Sequence, residues 1–426
     1  MRSLSARPHS SRAPLVLCVA VLLSAAGAAQ ETSSVSAPSS NFAQTAPASA
    51  PATATATAPS TAAALKRLTL AAIYDGKEFD GDVMRGVEWT SEPGYYRQRR
   101  DGRLLRIDAR SGAEAGPAYD DDALRAALSR HRDFDKDAAE QLSRRPTTWS
   151  NDRSAVLLVH DDRLYFHRLG QRGVRRLADA DERRREVDLS PRGGYLSFVR
   201  DNDLFVIGTQ SGFTRRITWS GEDTLLNGVL DWVYQEEIYG RGNWRGYWWS
   251  PDERHIALLQ LDESRVPTYT IVDNVSQNAP AETLRYPRAG DPNPGVRLGV
   301  ASLGLLGGVR WIDLSRYKRD EILIVAVSWS PDGKLLFSVQ DREQRWLELN
   351  QVDPDWGGPR TLIREQSPAW VEPMGPPHWL RDGSFLWLSE RDGRRHVYHY
   401  RRDGTLIRRV TDGPWDVRTL HGVDEK

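Results

Sequence analysis

From Leu65 onward the hydrophobic positions fall in short alternating runs, each closed by turn residues. Such runs predict strands rather than helices. One unit recurs: an aromatic or apolar residue, a Ser-Pro-Asp-Gly corner or a variant of it, then an apolar run. The clearest copy is Trp329-Ser330-Pro331-Asp332-Gly333 followed by Leu335-Leu336-Phe337. Further copies begin at Trp149, Leu189, Trp249 and Trp379, with a degenerate one at Trp89. The corner is hairpin chemistry. Proline presets φ for its first bend, and Asp-Gly supplies the positive φ of the second. A third strand follows most copies, as in Asp203–Ile207 and His396–Tyr400, and often a fourth, as in Arg215–Thr218 and Leu406–Thr411.

Four short strands per repeat, recurring every ~40 to 50 residues, is the signature of a β-propeller. Longer gaps read as insertions between strands. The alternative, a β-sandwich, gives no reason for the Trp-Ser-Pro-Asp corner to repeat. One helical segment is predicted, Asp121 to Arg130, with Leu124, Ala127 and Leu128 on one face. The expected fold is an all-β propeller of four-stranded blades over residues 65–426, incomplete at its C-terminal end.

The N-terminus reads differently. Arg2, Arg7 and Arg12 precede an apolar run, Leu15 to Ala25, and then the small residues Ala26-Gly27-Ala28-Ala29. That is the pattern of a cleavable secretory signal over residues 1–29. A membrane-spanning anchor needs about 20 apolar residues, and the run falls short. Residues 30–64 are nearly all Ala, Ser, Thr and Pro. Such a segment buries too little apolar surface to offset its ordering entropy, and it reads as a disordered linker. The one cysteine, Cys18, lies inside the signal, so the mature chain would have neither disulfide nor thiol nucleophile. The formal net charge of zero gives no argument for nucleic acid or an anionic membrane. An exported, periplasmic or secreted protein is expected.

The candidate chemistry lies in Asp231-Trp232-Val233-Tyr234-Gln235-Glu236-Glu237. Neighbours on a strand face opposite ways. For Glu236 and Glu237 to meet one ligand, the backbone must turn locally, as in a short helix or bulge. Paired carboxylates repel, and a cation relieves the repulsion. An ammonium group is the natural ligand; a solvated acidic pair is the other reading. No metal or other cofactor is expected: His396 and His399 lie three apart on a strand and face opposite ways. The run 182–186 reads as a solvated turn.

The segment resembles the Asp-Trp-x-Tyr-x-Glu-Glu motif of the dipeptidyl peptidase IV family. The likeness extends to Thr214–Gly221 and Asn227-Gly228 upstream, and to Tyr247–Asp252, Tyr286–Gly290, Ser389–Gly393 and Thr411–Val417 downstream. The resemblance implies a propeller in which Glu236 and Glu237 bind the free amino end of a peptide substrate. It also implies release of X-Pro or X-Ala dipeptides by a complete serine exopeptidase. Two features depart from the family. Gly240–Gly246 lengthens the link to Trp248 and reads as a mobile loop, and no motif picks out a substrate-binding arginine near residues 97–110.

The family's Gly-x-Ser-x-Gly nucleophile elbow is missing from the sequence. Gly208–Gly212 has the wrong spacing and falls between strands. The expectation is a propeller part without the triad, inactive alone. A non-catalytic propeller that binds peptides or a partner protein is the rival. Expected partners are peptide N-termini, with a separate hydrolase domain or a second copy of the chain left open. An unclosed ring would leave strand edges exposed and favour association.

Overall fold

Each Ser-Pro-Asp-Gly corner closes through its serine. Ser330 Oγ donates to Asp332 Oδ1 at 2.6 Å and accepts from the Lys334 N–H at 2.9 Å, while the Gly333 N–H returns to the Ser330 carbonyl. Ser150 and Ser250 repeat this geometry, and Ser150, Ser190, Ser250 and Ser330 are all fully buried. A buried hydroxyl must be partnered, so the serine is a structural requirement of the turn. The fourth corner position takes a positive φ: Gly193, Gly333 and Gly383 supply it freely, whereas Arg153 and Glu253 adopt it at 58° and 62°.

The computed structural model describes residues 69–74, 86–90, 92–181, 183–275, 279–304, 307–318 and 321–425. The segments expected to be a signal peptide and a linker, and Cys18, lie outside the described residues. The chain divides into two compact units, Met1–Gly81 and Asp82–Lys426. In the first, the described part is one short helix, Leu70–Tyr74, with no buried residue.

Among the described residues, the second unit holds six antiparallel sheets arranged as propeller blades: I (88–117), II (148–178), III (185–216), IV (225–311), V (322–366) and VI (378–409). Five are four-stranded meanders in chain order. Blade IV is more complex. Its first strand comes in two pieces, Leu225–Asn227 and Tyr247–Trp249, both paired with His255–Asp262. A separate hairpin, Thr268–Val272 with Ala281–Arg285, is inserted between its next two strands.

Central strands carry the core. Ile256 to Leu259 are wholly buried, within one hydrophobic cluster that runs through blades III to VI. A second cluster joins blades II and III through Leu157, Leu196 and Phe198. The recurring tryptophans tie blades together. Trp249 Nε1 donates to Ser197 Oγ in blade III at 2.9 Å, and Trp329 Nε1 to the Trp248 carbonyl in blade IV at 3.1 Å. Glu253, held at its positive φ, accepts from Ser190 Oγ and the Arg192 N–H across the same III–IV seam.

The structure corrects two local expectations. A second helix, Lys136–Arg144, follows Asp121–Ser129; it starts on Asp135, whose carboxylate accepts from the Ala138 N–H at 2.7 Å. Its buried residues are small, Ala139 and Ser143, so its apolar face is faint in the sequence. The run 182–186 is not wholly a solvated turn. Arg185 opens the first strand of blade III, and the Arg184 guanidinium sits 5.8 Å from the centre of the Phe198 ring.

Candidate functional site

The interrupted first strand of blade IV carries the Asp-Trp-x-Tyr-x-Glu-Glu segment. The chain leaves the sheet at Gly228 and rejoins it at Gly246, and these glycines form the neck of the insertion. The Gly246 N–H donates to the Gly228 carbonyl at 3.0 Å. Gly228 has φ +73°, and a Cβ on Gly246 would lie 3.1 Å from the Gly228 carbonyl carbon. The close approach therefore requires glycine.

Inside the neck, Asp231 starts a helical turn. Its carboxylate accepts from the Val233 and Tyr234 N–H groups, each at 3.1 Å. The turn then widens into one π-helical turn, Tyr234–Ile238, closed by the Tyr239 N–H on the Tyr234 carbonyl at 2.8 Å. Such turns are rare and recur at functional sites. Two tyrosines pin it to the first strand of blade V. Tyr239 Oη donates to the Ile324 carbonyl at 3.0 Å, and Tyr234 Oη accepts from the Ile324 N–H at 3.3 Å. Burial pushes both phenols well above their ordinary range.

Glu236 and Glu237 both sit on this turn. The Glu236 side chain is 14% exposed, and Glu237 is exposed. Glu236 is ion-paired within the insertion: Arg241 Nε donates to its Oε1 at 2.6 Å, and Arg241 Nη2 reaches the same oxygen. The Glu237 carboxylate has no hydrogen bond or ion pair among the described residues. The loop expected to be mobile is tied to the turn, with the Gly242 N–H donating to the buried Gln235 Oε1 at 2.9 Å.

Beneath the turn lie groups for which sequence reasoning assigned no role. Asp231 is buried, and desolvation pushes its carboxyl up to about 6 against the bonds from the backbone N–H groups of Tyr234, Val233 and Asp231 itself that hold it down. Glu263, at the end of the adjoining strand, is pushed up to about 7 by burial and then by the Asp231 charge, with Arg285 opposing. Trp232 meets Tyr286 edge-on at 4.4 Å. Arg241, Glu263 and Arg285 stand outside the motif, and only their positions in space connect them to it.

The other sequence candidates stay apart from this turn. His396 contacts Thr411 Oγ1 and the Gly413 carbonyl, and His399 contacts Ser384 Oγ. Among the described residues, no group of three or more His, Cys, Asp or Glu could hold a metal ion. Gly208–Gly212 is the turn between the last two strands of blade III, with the Gly212 N–H on the Gly208 carbonyl at 2.7 Å. Among the described residues, no helix is long and apolar enough to cross a membrane.

Comparison with known proteins agrees with this frame. The chain is 30% identical over 255 residues to the dipeptidyl peptidase 4 of Trichophyton tonsurans, and likewise to that of Trichophyton rubrum; each match covers 56% of this chain and 32% of the relative. The chain thus spans about a third of the length of these curated relatives. The crystal structure of Porphyromonas gingivalis dipeptidyl peptidase 4 superposes with a TM-score of 0.68 at 23% identity, covering 84% of this chain and 51% of that one. That likeness speaks for the fold. A family description, the dipeptidyl peptidase IV N-terminal region, matches residues 150–426 without a break across blades II to VI, and the chain belongs to that family.

Proposed function

We propose that this propeller holds the free amino terminus of a peptide, with Glu236 and Glu237 accepting the ammonium. In this reading it is the substrate-anchoring part of an exported serine exopeptidase that, when complete, releases N-terminal X-Pro or X-Ala dipeptides. The observation that carries the reading is the π-helical turn. It puts two adjacent carboxylates on one short element, fixed to a neighbouring blade by Tyr234 and Tyr239. An ammonium has three N–H donors and suits acceptors from more than one carboxylate. The chain's own residues supply binding and orientation, which convert remote binding energy into placement of the bond to be cut. The N-terminal signal pattern supports export.

Titration calorimetry of the full chain with an unblocked peptide bearing proline second, and with its N-acetylated twin, tests the reading. Hydrogen bonds to charged groups are worth about 1.5–3 kcal/mol, so the unblocked peptide should bind about ten- to a hundredfold tighter. Glu236→Gln and Glu237→Gln should each erase most of that difference. Equal affinity for the two peptides would rule the reading out.

A further inference from the structure

Resting on that reading of the turn, we propose that Arg241 is a built-in surrogate for the substrate: its guanidinium occupies Glu236 in the unliganded chain, and an incoming peptide ammonium must displace it. Arg241 is supplied by the same insertion, beyond the carboxylates it covers. Its Nε and Nη2 both address one oxygen, Glu236 Oε1. That is an end-on contact, and it lacks the two-oxygen fork that makes arginine–carboxylate pairs strong. A guanidinium and an ammonium offer the same chemistry here, a positive charge with N–H donors, so both compete for the same acceptor.

The exposures give the contact its direction. The Glu236 side chain is 14% exposed, whereas the Arg241 side chain is 76% exposed. The arginine therefore reaches the carboxylate from the solvent side, the side from which a peptide must come. A buried pair would block the site outright, because stripping one partner from it is costly. A pair with one solvent-exposed partner lies nearer the surface value of about 0.2–1 kcal/mol, so it lowers ligand affinity without abolishing it. Glu237 keeps its carboxylate open, which gives an arriving ammonium a first foothold before Arg241 yields.

The surrounding backbone lets the side chain leave alone. Gly240 and Gly242, at φ +95° and +85°, flank Arg241, and the space where a Cβ would sit on either is open. The loop itself is held by the Gly242 N–H on Gln235 Oε1 and the Asn243 N–H on the Gly240 carbonyl. Movement of the guanidinium off Glu236 leaves both of these loop bonds intact.

The test is the affinity of Arg241→Ala, compared with the unaltered full chain, for the same unblocked and N-acetylated peptides. The proposal predicts about two- to fivefold tighter binding of the unblocked peptide by Arg241→Ala, with the acetylated peptide unchanged. Amine-selective binding by both forms with no gain, or with a loss, in Arg241→Ala would overturn the surrogate and leave the clamp standing. Equal binding of the two peptides by both forms, or no binding by either, would overturn the clamp and the surrogate with it.

Discussion

Blade IV sends out two excursions, and they are built in opposite ways. The insertion between Gly228 and Gly246 folds back onto the molecule: Tyr234 is wholly buried, Asp231 caps the turn, and two phenols grip the backbone of Ile324. The hairpin Thr268–Val272 with Ala281–Arg285 stands out from its blade, its first strand exposed at every position. Its base is held by Arg285 Nη1 on the Val266 carbonyl at 2.9 Å and the Tyr286 N–H on the Pro267 carbonyl. Both leave the same sheet, yet the first buries its own turn at Asp231 and Tyr234, whereas the hairpin is held only at its base, on the carbonyls of Glu263, Val266 and Pro267. Holding two carboxylates in fixed positions needs that burial, because side chains are locked by packing and satisfied polar contacts.

The widest separation between the two should come from truncating an anchor. Tyr234→Ala removes a fully buried ring and is expected to cost about 3–5 kcal/mol, read as a lower denaturant midpoint. Ile271→Ser on the hairpin should stay within about 0.5 kcal/mol, since the residue is half exposed. Similar midpoints for the two variants would erase the distinction.

A smaller effect comes from the carboxyls under the insertion. Asp231 and Glu263 both titrate higher in the folded chain than in an unfolded one, near 6 and 7 respectively. The folded state therefore keeps their protons to higher pH. The stability they contribute is complete below about pH 4 and is lost as the pH rises towards 7. Glu263→Gln should raise stability at pH 7 by about 1–3 kcal/mol and flatten the profile between pH 4 and 7, as followed by thermal melts. A variant whose profile parallels that of the parent would contradict the buried-pair account.

Much of the frame could be read from one repeated corner. The six copies from Trp89 to Trp379 fall on six blades because the corner is a local turn, visible residue by residue even where, as after Trp379, its serine and proline are replaced. The need for a local turn at Glu236-Glu237 was legible in the same way, from the alternation of a strand. The cross-blade work of the tryptophans was not: Trp249 reaches Ser197 in another blade, and nothing in its own segment names that partner. The helix Lys136–Arg144 was hidden by its small buried residues. Arg241 read as loop filler, since its value lies in where the insertion folds back. Glu263 lies far along the chain from Glu237, and only the pairing of His255–Asp262 with Leu225–Asn227 brings it under the turn.

The most direct test is a crystal structure of the chain soaked with an unblocked tripeptide carrying proline second. The account predicts the peptide nitrogen within about 3 Å of one oxygen from each of Glu236 and Glu237, with the Arg241 guanidinium moved off Glu236. A peptide bound elsewhere, or an amino group that touches neither carboxylate, would contradict it.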